Sequence, residues 1–68
     1  MRGMTIRIER VKRDLTQTEL AEKLGISQAL LSKLERDVYT ATKETASQIR
    51  QIFKGIDEYG KDNEERNL

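Results

Sequence analysis

The 68-residue chain contains no cysteine, no histidine and no proline. Without cysteine no disulfide can form, and a zinc site would have to use carboxylates alone, which is unusual. The absence of histidine and of a glycine-rich phosphate loop also removes common catalytic groups. We therefore expect no enzymatic activity, no metal and no cofactor. A chain of this length forms one domain with a modest core.

Long apolar runs are also missing. The longest, Ala29-Leu30-Leu31, is far shorter than the roughly 18 residues that cross a membrane. The first residues lack the hydrophobic region of a signal peptide. We therefore expect a cytoplasmic protein that makes no membrane contact.

The net charge is only +1, but the charges are unevenly distributed along the chain. Residues 1–54 contain eleven basic and seven acidic side chains, a net charge of +4. Residues 55–68 contain two basic and five acidic side chains, a net charge of −3. A mildly basic body can bind phosphates, although an ordinary solvated surface explains the same charge equally well.

Good helix formers are abundant, so the sequence favours helices joined by short turns. We predict an all-α fold, a compact bundle of four or five helices. The domain is expected to span residues 1–60, and the polar residues 61–68 to form a flexible tail. The first helix is expected over about residues 5–13 and the last over about residues 42–54. The apolar stripe of this last helix consists of Thr45, Ile49, Ile52, Phe53 and Ile56.

Two short helices are predicted between these, and their ends are marked by capping residues. Thr16 and Glu19 have the spacing of a capping box, which satisfies free amides at a helix start. Gly25 supplies the left-handed conformation that ends a helix, and Ser27 is a good N-cap for the next one. Helices separated by about three residues cross steeply, as in helix-turn-helix units. We therefore predict a helix-turn-helix at about residues 16–36.

Three stretches of the sequence resemble the Cro/repressor-type helix-turn-helix family of phage repressors and XRE-like regulators. They are Leu15-Thr16-Gln17, residues 19–27 (ELAEKLGIS) and residues 31–36 (LSKLER). The resemblance covers about residues 5–54 and implies a lambda-repressor-like domain that binds double-stranded DNA, at a palindromic operator, as a dimer. The sequence departs from the family at Asp37, where a glycine is usual, and in the loop that follows it.

The resemblance places Gln28, Ala29 and Lys33 at base-reading positions on the third helix. Gln28 can pair with adenine N6 and N7, and Lys33 can donate to guanine O6 and N7. Ala29 can pack on a thymine methyl group, and Ser32 can contact a base edge or a phosphate. In an arbitrary helical protein these side chains would be no more than solvated surface.

Phosphate contacts are expected from residues at helix starts and from nearby basic side chains. These residues are Gln17, Ser27, Arg36 and Lys43. The resemblance also implies a partly buried ion pair between Arg10 and Glu35. This pair would align the first and third helices, which is a structural role.

The first helix contains an apolar stripe that the motif does not explain, formed by Met4, Ile8, Val11 and Leu15. The family's inward positions correspond instead to Ile6, Arg10 and Arg13. One interpretation is that the helix rolls and ends early, so that this stripe joins the core. The other is an exposed apolar strip for self-association or for a protein partner.

The sequence therefore favours a nucleoid-associated, DNA-binding transcriptional regulator. We expect a repressor that binds its operator as a homodimer and reads the bases with its third helix. The dimer surface is expected on the fourth helix and the segment 56–59. The alternative is an antitoxin-like or adaptor module whose main role is to bind another protein. The apolar strip and the acidic C-terminal segment favour that alternative.

Overall fold

The computed structural model describes residues 1–61, which fold into four helices without a strand. The helices are α1 (Gly3–Lys12), α2 (Gln17–Leu24), α3 (Gln28–Glu35) and α4 (Lys43–Tyr59). The predicted all-α fold is confirmed, with four helices in this part of the chain. The expected tail lies, except for Lys61, outside the described residues.

Capping side chains fix the starts of three helices. The Thr16 hydroxyl accepts from the Glu19 amide at 3.0 Å, and the Glu19 carboxylate accepts from the Thr16 amide at 2.9 Å. This is the predicted capping box of α2. Ser27 caps α3 and Thr42 caps α4 in the same manner, each with its hydroxyl accepting from an amide three residues later. Gly25, with φ of 71°, ends α2 in the left-handed conformation.

The start of α1 is capped by a residue that is distant in sequence. The Arg2 side chain makes no capping bond, and the Gly3 amide instead donates to Asp37 Oδ1 at 2.9 Å. Asp37 has φ of 61°, a left-handed conformation that aspartate tolerates better than most residues. A Cβ at Gly3 would overlap the carbonyl oxygens of Leu34 and Glu35, so α1 begins in close contact with the end of α3. Aspartate at position 37 therefore makes the turn and also caps α1.

The core lies where all four helices meet. Its buried apolar side chains are Ile6, Leu15, Leu20, Ala21, Leu31, Leu34, Ala46, Ile49 and Phe53. In the predicted stripe of α4, Ile49 and Phe53 are buried, while Thr45, Ile52 and Ile56 are half-buried. The helix continues to Tyr59, five residues beyond the predicted end at Lys54, because Ile56 packs against the core.

The rolling of α1 that would bury its apolar stripe does not occur. Met4, Ile8 and Val11 are all more than half exposed, and only Leu15, which lies beyond the helix end, is buried. The interpretation that the stripe joins the core is therefore wrong for these three residues. The reason is that α1 packs through Ile6 and through two arginines that have partners on other helices.

Arg13 is the arginine that connects α1 with α4. Its guanidinium donates to both carboxylate oxygens of Asp57, at 2.9 and 2.8 Å, and to Glu9 at 2.8 Å. It also stacks over the Phe53 ring, 4.6 Å from the centroid. Hydrogen bonds from Arg13 lower the pKa values of Asp57 and Glu9 below their usual range.

Candidate nucleic-acid interface

The helix-turn-helix unit consists of α2, a three-residue turn and α3. The turn is closed by the Ile26 amide, which donates to the Ala21 carbonyl oxygen at 3.0 Å. Buried Leu20 and Ala21 on α2 and buried Leu31 and Leu34 on α3 belong to one core. The opposite face of α3 therefore remains available for a ligand.

The outer face of α3 presents two rows of predicted site residues. Residues four apart lie above one another on a helix, so Gln28, Ser32 and Arg36 form one row. Ala29 and Lys33 form the second row. Gln28, Ala29 and Arg36 are exposed, and Ser32 and Lys33 are half-buried.

The first row is joined to the ion pair by a chain of hydrogen bonds. Arg10 donates to both oxygens of Glu35, at 2.7 and 3.0 Å, and the Glu35 side chain is only 3% exposed. Gln17 Nε2 donates to the same carboxylate at 3.1 Å, and Gln17 Oε1 accepts from Gln28 Nε2 at 3.4 Å. Gln28 Oε1 in turn accepts from the Thr18 hydroxyl at 3.2 Å. The base-reading candidate Gln28 is thus oriented by α2 and, through Gln17, by the buried pair.

These contacts leave the Gln28 amide able to bind a base. An amide nitrogen has two hydrogens and an amide oxygen has two lone pairs, so one donor and one acceptor position remain at Gln28. Those are the two groups that adenine N7 and N6 require. The Thr18 contact was not predicted, because it depends on the crossing of α2 and α3.

An open cleft of about 330 Å³ separates the first row of α3 from α1. Its lining residues are Arg7, Arg10, Gln17, Ser32, Glu35 and Arg36. Glu35 is neutralised by Arg10, whereas Arg7 and Arg36 form no ion pair within residues 1–61. The cleft is therefore cationic and suited to a phosphate group. Arg7 was missed in the sequence, although it lies three residues before Arg10 on the same helix.

The second row lies beside the loop between α3 and α4. Lys33 Nζ sits over the ring of Tyr39, 5.4 Å from its centroid, and Tyr39 is about half exposed. Tyr39 was not among the predicted site residues, since only the folded loop brings it to Lys33.

The remaining phosphate candidates lie outside the cleft. The Ser27 hydroxyl is occupied as the N-cap of α3, where it accepts from the Leu30 amide at 3.1 Å. Lys43 is exposed at the first position of α4, across the α3–α4 loop.

A protein-family model described as helix-turn-helix matches residues 6–58. The chain belongs to the Cro/repressor-type helix-turn-helix family. The match runs from α1 nearly to the end of α4, so the predicted resemblance is confirmed. Family membership makes this a DNA-binding, non-enzymatic domain, and the prediction that the chain is not an enzyme is confirmed. Searches of curated proteins and of solved structures return no significant match.

Two further features concern other kinds of site. Within residues 1–61, no helix is both long enough and apolar enough to cross a membrane. The same residues contain no group of three or more acidic side chains arranged to hold a metal ion.

Proposed function

We propose that the protein is a sequence-specific transcriptional repressor that inserts α3 into the major groove of its operator. The observation that carries the proposal is the exposed Gln28 amide, oriented by Thr18 and Gln17 and still able to donate and accept one further hydrogen bond each. Gln28 pairs with adenine, Lys33 with guanine, and Ala29 with a thymine methyl group. Ser32, half-buried beside the cleft, contacts a base edge or a phosphate.

Backbone phosphates are bound on both sides of the reading face. On one side, Gln17, Arg36 and Arg7 surround the cationic cleft between α1 and α3. On the other side, Lys43 at the start of α4 and the α3 N-terminus at Ser27 contact the opposite strand. These contacts fix the register of α3 and carry no sequence information of their own.

The protein binds a palindromic operator as a homodimer. Two copies of α3 then lie about 34 Å apart, one turn of duplex. The dimer surface is the end of α4, where Ile56 is half-buried and Tyr59 is 61% exposed. Occupation of an operator blocks transcription without any catalytic step. Because an operator lies in the nucleoid, the protein acts there, in the cytoplasm.

Selection of bound duplexes from a random pool tests this proposal. We expect enrichment of two inverted half-sites, about ten base pairs apart from centre to centre, each containing adenine and guanine. Binding to the selected duplex should weaken steeply as salt rises, because several phosphates are neutralised. A pool that shows no enrichment, with no binding to random duplex at low salt, contradicts the proposal.

A second function is favoured by the exposed apolar strip on α1. Met4, Ile8 and Val11 form a contiguous patch that faces away from the core, as docking surfaces for proteins do. In that case the chain is an antitoxin-like or adaptor module that binds another protein, or its own copy, through this strip or through the C-terminal segment. A double variant, Ile8→Glu with Val11→Glu, tests it by analytical ultracentrifugation, with Thr5→Glu as the control. A folded double variant that still associates as the wild type does contradicts self-association through the strip.

A further inference from the structure

The loop after α3 folds back onto Lys33. Asp37, in the turn after α3, has φ of 61°, a left-handed conformation. The amides of Val38 and Tyr39 then both donate to the Lys33 carbonyl oxygen, at 2.9 and 3.4 Å. The backbone of Tyr39 is therefore fixed relative to the residue whose side chain its ring contacts.

The contact is between the Lys33 ammonium group and the face of the Tyr39 ring. Their separation of 5.4 Å lies within the range of about 6 Å over which a ring attracts a cation. Lys33 forms no ion pair within residues 1–61, so no described carboxylate competes with the ring. The ammonium group is thus held on the loop side of α3.

We propose that Tyr39 is a positioning residue for DNA recognition, which orders the Lys33 side chain before α3 enters the groove. The inference rests on the proposed function, since an ordered Lys33 matters only if α3 contacts bases. A lysine side chain loses much rotamer freedom when it is fixed, and the ring imposes part of that loss before DNA binds. An exposed cation–π contact corresponds to about a two- to fivefold change in an equilibrium constant.

Removal of the Tyr39 ring shows whether the ring orders Lys33 for binding or holds it away from the bases, because the two roles change DNA affinity in opposite directions. If the ring instead kept Lys33 away from the bases, the contact would have to break on binding, and its removal would tighten the complex. If the ring orders Lys33 productively, its removal weakens the complex on the preferred site.

The experiment compares the full chain and its variants on the duplex selected from the random pool and on a random duplex of equal length. Tyr39→Phe keeps the aromatic face and should bind the selected duplex within about twofold of the wild type. Tyr39→Leu keeps an apolar side chain without the ring, and should bind the selected duplex about two- to fivefold more weakly. Its affinity for random duplex should change little, because phosphate contacts are untouched.

Two controls make the result specific to Lys33. In a Lys33→Met background, Tyr39→Leu should cause no further loss, because the cation that it orders is absent. Val38→Ala, at an exposed neighbouring position of the same loop, should leave the preference unchanged, and melting curves confirm that each variant is folded.

Three outcomes would overturn the inference. They are unchanged or tighter binding by Tyr39→Leu, an equal loss on both duplexes, and a loss that persists without Lys33. Each of these leaves the proposed function intact if the wild type prefers the selected duplex. A wild type without any preference overturns the proposed function, and the role of Tyr39 with it.

Discussion

At the scale of single residues, Gln28 lies on the exposed face of α3 and is connected through Gln17 to the buried Arg10–Glu35 pair. If Gln28 pairs with adenine as proposed, Gln28→Ala removes that bidentate pair, so we expect a loss of about 1–3 kcal/mol of binding free energy on the selected duplex. The binding free energy for random duplex should decrease much less. Fluorescence anisotropy at one fixed salt concentration measures both affinities, with Gln51→Ala on the exposed face of α4 as the control. Equal losses on the two duplexes would show that Gln28 does not read a base.

The two arginines of the cleft that form no ion pair within residues 1–61, Arg7 and Arg36, should contribute equally to binding of the selected duplex and of random duplex. Under the proposed function, Arg7→Gln and Arg36→Gln each remove one phosphate contact, so binding to selected and random duplexes should weaken by similar factors. The slope of log K against log salt should fall by about 1 for each variant. Arg50→Gln is a matched control, because Arg50 is exposed on α4 and does not line the cleft. A loss confined to the selected duplex would instead indicate that Arg7 or Arg36 contacts a base.

At the scale of elements, α1 depends on Asp37 for its N-cap. Asp37→Ala removes the acceptor for the Gly3 amide and places alanine at a left-handed φ, so we expect a loss of about 2 kcal/mol of stability. Asp37→Asn keeps an acceptor and tolerates this φ, and should change stability by only a few tenths of a kcal/mol. Urea unfolding followed by circular dichroism measures both variants. If alanine and asparagine give the same stability, Asp37 does not cap α1.

The elements also show what the sequence can predict. The starts of α2 and α3 were predictable because each depends on a hydroxyl acting within three residues. The end of α4 was not, because Gly55 resembles a stop signal while Ile56 packs on the distant core.

The inward face of α1 and the composition of the site were harder to predict. Ile6 and the stripe of Met4, Ile8 and Val11 are both apolar, and which of them is buried depends on the partners of two arginines, 25 and 44 residues away. Thr18, Arg7 and Tyr39 reach the site only through crossings between helices or through the folded loop. Periodicity within one helix carries no information about such contacts.

At the scale of the whole molecule, two arginines hold α1 against the rest of the bundle. Arg10 binds Glu35 on α3 in a nearly buried setting, whereas Arg13 binds Asp57, whose side chain is 53% exposed, on α4. Removing one partner of the buried pair leaves an uncompensated charge, which is strongly destabilising. The exposed pair is screened by salt and contributes less.

The ion pairs of Arg13 with Asp57 and Glu9 make the free energy of unfolding depend on pH in the acid range. The pKa values of Asp57 and Glu9 are lowered in the folded protein, mainly by hydrogen bonds from Arg13, from ordinary values of 3.8 and 4.5. The unfolded chain therefore binds more protons near pH 4, so this stabilisation is present above those ordinary values and is lost as pH falls through the folded pKa values. Urea unfolding between pH 6 and 3, in steps of about half a unit, should show stability falling below about pH 4.5. The double variant Glu9→Gln with Asp57→Asn should lose less stability over this pH range than the wild type does. Raised salt should reduce the loss in the wild type, because it screens the exposed ion pairs. Glu58→Gln, at an exposed position next to Asp57, is the control and should leave the loss unchanged. A wild-type fall that the double variant reproduces in full would mean that Arg13 and its two carboxylates do not carry the acid sensitivity.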